Sequence, residues 1–346
     1  MTDRPTLVIV GGMLGAGKTT LVLAAARRLV ADGRRVGIVT NDQGSGLVDT
    51  ALARIANVPV TEVAGGCFCC RLSDLIHATA TLAEHRPDVI FAEPVGSCLD
   101  LAATVLRPLL RDEAGRFHVA PLTVLIDPAR ARDLAKSSAD PDVAFLFHHQ
   151  LAEADIVCFT KADRGVEPPA IAGVAGHVLS ARTGDGLDVW LAHVLASDQS
   201  AGTAMLSVDY ARYSHAEAAL AWLNWQARLD LDTPQSPATV VGVLTDRLES
   251  TLEAAGLEIV HVKVLDRAPT GYVRASLCAP GEEPEVEGAL DASPSLSHHL
   301  VINARAIGDP LRLSRAVSEC LEPLGRLNVL ARDAFRPAPP TPERRA

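Results

Sequence analysis

Gly12-Met13-Leu14-Gly15-Ala16-Gly17-Lys18-Thr19 is the stretch on which the reading of this chain turns. Its spacing, G-x-x-x-x-G-K-[ST], leaves backbone N–H groups open to wrap a chain of phosphates, while Lys18 adds a cation and Thr19 a metal-binding hydroxyl. An apolar strand, Thr6 to Val10, precedes it, and a helix-forming run, Thr20 to Val30, follows. That order puts the helix's unsatisfied N–H groups and positive dipole end beneath the anion. Gly12, Gly15, Ala16, Gly17, Lys18, Thr19 and Thr20 are the expected nucleotide contacts, with Mg²⁺ on Thr19. A glycine-rich turn with no ligand would require neither flanking element.

A chain of 346 residues suggests two domains, each large enough to bury an apolar interior. Lys+Arg 32 against Asp+Glu 42 gives a formal charge of −10, which argues against nucleic acid or an anionic membrane as partner. No apolar run approaches the ~18 residues of a membrane span, and no cationic segment leads into an apolar one near Met1. A cytoplasmic location is the expectation. Seven cysteines are an odd number, and three of them fall within four residues, which suits metal or redox chemistry better than a disulfide framework.

Arg35 to Thr40 reads as a second strand, with Asn41, Asp42, Gln43 and Gly44 at its end beside the phosphate loop. Ligands gather at the carboxyl ends of strands in open parallel sheets. Asp42 is thus a catalytic candidate, holding Mg²⁺ through water or positioning an attacking water; a turn-forming Asn-Asp pair reads the same way. Gly44 to Gly46 is flexible enough for a switch. After a short strand, Val58 to Val63, come Gly65-Gly66-Cys67-Phe68-Cys69-Cys70. Three neighbouring thiols can supply soft ligands to one tetrahedral ion and are badly placed to pair as disulfides. Burial as small apolar residues is the plain alternative. The fourth ligand is open: Cys98, Asp42, a histidine or water would each serve.

The strand Asp88 to Ala92 ends at Glu93, with Gly96 close behind. An acid there is the usual companion of a phosphate loop, holding the Mg²⁺ shell or ordering water, and the Gly96 N–H can sense a γ-phosphate. His77, one turn beyond Ser73, reads as an ordinary surface or packing residue, and His148 and His149 as structural, since adjacent helical residues point about 100° apart and cannot easily close on one ion. A strand Leu122 to Ile126 ends at Asp127, and another, Ile156 to Phe159, ends at Thr160, Lys161 and Asp163. A carboxylate at Asp163 can accept both guanine N–H groups, whereas adenine leaves it unpaired, a mismatch of the ~10⁴-fold class. Ser180 and Ala181 place N–H groups for the guanine oxygen.

Gly11 to Thr20, Gly66-Cys67-Phe68-Cys69-Cys70, Glu93-Pro94-Val95-Gly96 and Thr160-Lys161-Ala162-Asp163, in this order, closely resemble the CobW-type GTPases, a family of metal chaperones with a CobW/HypB/UreG-like nucleotide-binding domain. The resemblance covers residues 5 to about 195 and, more loosely, the rest. It implies a mostly parallel P-loop NTPase sheet with helices on both faces, GTP and Mg²⁺ on the phosphate loop, with Lys18, Asp42 and Glu93 as catalytic residues. It further implies Zn²⁺ or Co²⁺ on Cys67, Cys69 and Cys70, and hydrolysis that drives delivery to a client metalloprotein or corrinoid protein. Thr160 stands where the family commonly has Asn, which should weaken guanine selectivity without removing it. Asp42-Gln43 replaces a frequent Glu-Phe, and a C-terminal histidine-rich loop is reduced to His298-His299. Similar motifs occur in members tied to cobalamin, and a homodimer is a candidate assembly.

The expected organisation is a GTPase domain over 1–197, a linker over 198–203, a smaller α+β domain over 204–331, and a disordered tail over 332–346 that lacks apolar anchors. In the second domain, Leu223 to Leu231 alternates as a half-buried strand and Thr239 to Ala255 is helical. Glu258 to Leu265 pairs with Tyr272 to Cys278, Leu300 to Arg305 is a strand, and Pro310 to Leu321 a helix. The exposed face of this antiparallel sheet is a candidate client surface. Two other readings use the same residues: an ATP-dependent small-molecule kinase, which leaves Asp163 unexplained, and a metal-sensing adaptor with vestigial hydrolysis.

Overall fold

Leu7 to Val10, an apolar run buried on both faces, can only be the middle strand of a covered parallel sheet, and this is its place. A computed structural model of the chain describes residues 4–136, 139–171, 174–196, 200–279 and 281–346. Its first half runs β1 (Thr6–Gly12), α1 (Lys18–Ala31), β2 (Val36–Asp42), α2 (Val48–Ile55), β3 (Val60–Ala64), α3 (Leu72–Leu82) and β4 (Val89–Glu93). There follow α4 (Arg107–Asp112), β5 (His118–Val119), β6 (Thr123–Ile126), α5 (Pro128–Leu134), α6 (Pro141–Ala152), β7 (Ile156–Phe159), β8 (Gly176–Val178), α7 (Leu187–Val194) and α8 (Tyr210–Ala218).

These strands form a parallel sheet in the order β3-β2-β4-β1-β6-β7-β8, with β5 beside β1. Parallel neighbours require crossovers, which the intervening helices supply. Every strand end that carries candidate chemistry, Gly12, Asp42, Ala64, Glu93, Ile126 and Phe159, therefore lies on one edge of the sheet. Trp190 of α7 lies against Phe91 of β4, their centroids 6.3 Å apart, and its indole N–H donates to Thr123 Oγ1 at 3.1 Å. Both rings are fully buried, so this contact anchors a helix to the sheet that aims the site.

The second part comprises β9 (Leu220–Gln235), α9 (Pro237–Ala254), β10 (Glu258–Ala268), β11 (Gly271–Leu277), β12 (Glu285–Gly288), β13 (Ser295–Ile307), α10 (Pro310–Leu321) and β14 (Arg326–Phe335). Its strands make an antiparallel sheet in the order β12-β11-β10-β13-β9-β14. Leu223, Trp225, Val262, Val264, Ile302 and Ala304 bury one face with Leu244, Leu248 and Val317 of the two helices. Ser236 caps α9 through the Thr239 N–H, and Asp309 caps α10 through the Arg312 N–H, each followed by proline at the first helical position.

Two compact units result: residues 1–43, 52–216 and 339–346 in one, and 44–51 with 217–338 in the other. This departs from the expected division in three respects. The first unit runs to Ala216 because α8 is a helix whose Tyr213 hydroxyl receives the Leu99 N–H at 3.1 Å, where a new domain was expected to have begun. Residues 197–199, including part of the expected linker, lie outside the described residues. The switch expected over Gly44 to Gly46 falls in the second unit, beyond Gln43: Ser45 and Gly46 carbonyls accept from Asn224 and Asn303, and Asp49 pairs with Lys263 at 2.5 Å, all within that unit.

The third departure concerns the expected tail. Arg332–Phe335 belong to β14, and residues 339–346 pack on the first unit. Polar anchors add to the buried Pro340. Thr341 N–H meets Cys70 Sγ at 3.1 Å, Glu343 N–H meets Cys69 O at 3.1 Å, and the Glu343 carboxylate accepts from Ser73 N–H and Oγ at 2.8 and 2.7 Å. Arg345 reaches the buried Asp100 carboxylate at 2.8 Å. Glu343 thereby sits in the first turn of α3, where a negative charge is favoured.

Candidate functional site

β1 leaves the sheet at Gly12, where φ is +127° and a Cβ would stand 2.5 Å from the Leu125 carbonyl oxygen. Only glycine turns the chain there. At Gly17, φ is +90° and a Cβ would meet nothing within 4 Å, so the space above the helix start is open. α1 carries no side-chain cap, a state that suits capping by an anion. Lys18 Nζ donates to Gly12 O at 2.9 Å and Met13 O at 3.2 Å, which lays its charge along the loop. Thr19 Oγ1 donates to Glu93 Oε1 at 2.9 Å, so the hydroxyl and carboxylate that suit one hard cation already meet. Gly96 lies against the loop, since a Cβ there would be 2.7 Å from the Leu14 side chain. Asp42 stands half-buried at the end of β2, in register with Ala64.

Thr160 Oγ1 lies 2.9 Å from Ala16 O and 3.2 Å from Ile126 O, bracing the end of β7 against the phosphate loop. Lys161 pairs with Asp127 at 2.7 Å, and both side chains are about nine-tenths buried. Asp163 Oδ1 accepts from Ser180 Oγ at 2.6 Å, which joins the two segments expected to hold guanine. Ser180 is itself buried, and its hydroxyl also receives the Thr183 N–H at 3.2 Å, which fixes the turn that carries Ala181.

The Cys67, Cys69 and Cys70 sulfurs all lie within 4.8 Å of one another, at 2.6 Å for Cys67–Cys69, 3.5 Å for Cys67–Cys70 and 3.6 Å for Cys69–Cys70. Gly65, at φ +81°, lets the chain turn into this loop, and Cys67 O receives the N–H groups of Cys70 and Arg71 as it passes into α3. The contact with Cys67 and then burial push Cys70 up to about 11, and Cys69 is raised by its sulfur neighbours and by burial. Bonds from Cys69 and Cys70 lower Cys67, but Cys98 and burial leave it raised. Several thiolates cannot share so small a volume without a cation. The donor set, soft and convergent, fits a tetrahedral Zn²⁺ or Co²⁺.

Asn41 is the residue whose role the sequence left undeclared. Its amide donates to Val63 O at 2.9 Å and Gly66 O at 2.7 Å, the two carbonyls that flank the turn into the cysteine loop. Its oxygen accepts the Val95 N–H at 3.4 Å, in the loop between Glu93 and Gly96. One buried side chain thus joins the thiol loop to the segment beside the phosphates. Gln150 is the second such residue: from α6 its amide donates to Gly96 O at 2.9 Å and Cys98 O at 3.1 Å. A glutamine on the buried side of an apolar helix was the available signal.

A parallel sheet whose central strand turns through a glycine loop into an uncapped helix defines the P-loop class of nucleotide-binding domains. Within that class the chain belongs to the CobW/HypB/UreG family, whose nucleotide-binding domain model matches residues 6–178. Among solved structures, HypB from Helicobacter pylori in complex with nickel is similar at 16% identity, over 54% of this chain and 84% of that one, with a TM-score of 0.39. Zn(II)-bound YjiA GTPase from E. coli is similar at 14% identity over 94% of this chain and 100% of that one, with a TM-score of 0.35. Signal recognition particle receptor FtsY from Elizabethkingia anophelis is similar at 15% identity, over 62% and 66%, with a TM-score of 0.34. Among the described residues no helix is long and apolar enough to cross a membrane.

Proposed function

We propose that this chain is a GTP-hydrolysing metallochaperone that carries Zn²⁺ or Co²⁺ on Cys67, Cys69 and Cys70 and gives it up to a client metalloprotein, with a corrinoid-associated client as the narrower form of the reading. The observation that carries it is the Asn41 bridge, because it ties the thiol loop to the backbone beside Gly96, where a γ-phosphate would be sensed. The family is one of nucleotide-binding domains, and nickel-bound HypB and Zn(II)-bound YjiA are metal-bound proteins of similar fold.

In this reading the phosphates lie over Gly12 to Thr19, with the Lys18 ammonium turned toward their charge. Thr19 and Glu93 hold Mg²⁺, which when bound neutralises the developing charge on the phosphoryl oxygens. Asp42 orders the attacking water from the end of the neighbouring strand. Asp163, held by Ser180, reads the guanine edge and leaves adenine mispaired. Competition between GTP and ATP for the nucleotide-free chain, followed by phosphate release from each, tests this assignment. GTP should displace ATP and be the nucleotide hydrolysed; preferential binding of ATP, with transfer of its phosphoryl group to a metabolite, would make the protein a kinase instead.

A further inference from the structure

Cys98 is wholly buried, and its sulfur lies 3.9 Å from Cys69 Sγ. A tetrahedral ion with metal–sulfur distances of about 2.3 Å has its sulfurs about 3.8 Å apart. Cys69–Cys98 at 3.9 Å, Cys69–Cys70 at 3.6 Å and Cys67–Cys70 at 3.5 Å already match three of the six edges; Cys67–Cys69 at 2.6 Å must open, and Cys98, which stands outside the trio whose sulfurs all lie within 4.8 Å of one another, must close on it. We propose that Cys98 is the fourth thiolate of the metal site, and that it makes the site's coordination answer to the nucleotide. This rests on the reading above, in which metal occupies the cysteine cluster and GTP the phosphate loop.

Position gives Cys98 that second property. Cys67, Cys69 and Cys70 belong to the loop after β3, whereas Cys98 follows β4 and stands two residues beyond Gly96. Gly96 is packed on Leu14 of the phosphate loop. The backbone between is braced: Gln150 holds the carbonyls of Gly96 and Cys98, and the Cys98 N–H donates to Val95 O at 3.0 Å. A segment so braced moves as one piece, so a shift of Gly96 toward a γ-phosphate carries the Cys98 sulfur with it. With four sulfurs the site is closed, as in sites that retain their metal; with three it has an open position through which a client ligand can enter.

The test uses the full chain. Sulfur neighbours are counted by X-ray absorption on the Zn²⁺-loaded protein with GDP and with a non-hydrolysable GTP analogue, and Co²⁺ absorption spectra are recorded for wild type, Cys98→Ser and Cys70→Ser. Four sulfurs in one nucleotide state and three in the other are expected. Cys98→Ser should lose roughly a quarter of the four-sulfur state's thiolate-to-cobalt intensity and hold three sulfurs in both states. Its Zn²⁺ affinity in that state should fall roughly tenfold or more. Three sulfurs in both states of the wild type, with Cys98→Ser unchanged and Cys70→Ser altered, would overturn the proposal and leave the three-cysteine site standing. No thiolate band in any protein would remove both. Should Cys98→Ser fail to fold, the wild-type sulfur counts decide alone.

Discussion

Asn41 donates through its amide to the end of β3 and to the turn into the cysteine loop, and accepts from the loop after β4, so its removal separates two sites without deleting a ligand of either. Asn41→Ala should change GTP affinity and Zn²⁺ affinity, each measured alone, by less than about tenfold, the range of one or two lost neutral hydrogen bonds. The dependence of Zn²⁺ affinity on nucleotide should largely vanish, from a starting size of about 1–3 kcal/mol. Calorimetric titration in both nucleotide states measures this, and undiminished coupling in the variant would show that the link runs elsewhere. The cysteines and Lys18 were legible because few arrangements other than their chemistry explain three thiols in four residues or a glycine loop ending in Lys-Thr. Asn41 was not, because an asparagine at a strand end reads equally well as a turn former, and its partners lie on strands distant in sequence.

The segment 339–346 acts on the site as an element. It gives N–H groups to Cys70 Sγ and Cys69 O, and through Arg345 it brings a cation to Asp100, a carboxylate only 1% exposed. Deleting these residues strips that cover and takes the cation from the buried Asp100 carboxylate, which keeps the Tyr210 hydroxyl at 2.6 Å, at a cost of about 1–3 kcal/mol. Alkylation of Cys70 by a small reagent, followed by mass spectrometry, should run several-fold faster in the deletion variant; an unchanged rate would mean that the segment does not shield the thiol.

In the second unit, Asp266 and His298 form a wholly buried pair at 2.6 Å. Burial raises Asp266 more than His298 lowers it, while burial lowers His298 less than Asp266 and its backbone partners raise it. Both groups bind protons more tightly when folded, so their contribution falls as the pH rises. For His298 it is complete below about 6.5 and is lost through the raised folded value. The stability gap between wild type and His298→Gln in urea should therefore narrow from about pH 6 to pH 8; a widening gap would contradict the assignment. α9, α10 and the β10–β11 hairpin were readable from caps, proline and alternation. β14 was not, because most of its side chains are exposed and give no buried stripe, and α8 was hidden by its polar composition.

At the scale of the molecule, a net charge of −10 leaves no general field to attract phosphates. An anion must be held by local geometry, and the glycine loop at the edge of a parallel sheet provides it. The same edge gathers the loops after β1, β2, β3 and β4, which places the thiols, Asn41, Glu93 and Gly96 in one neighbourhood. The parallel architecture followed from strand and helix alternation. The division between units did not, because residues 44–51 and 339–346 reach their units by tertiary contacts that no local pattern announces. The most direct measurement is the affinity of the full chain for Zn²⁺, titrated against a competing chelator, first with GDP and then with a non-hydrolysable GTP analogue. A difference of about 5- to 150-fold between the two is predicted; equal affinities would contradict the coupling on which the account depends.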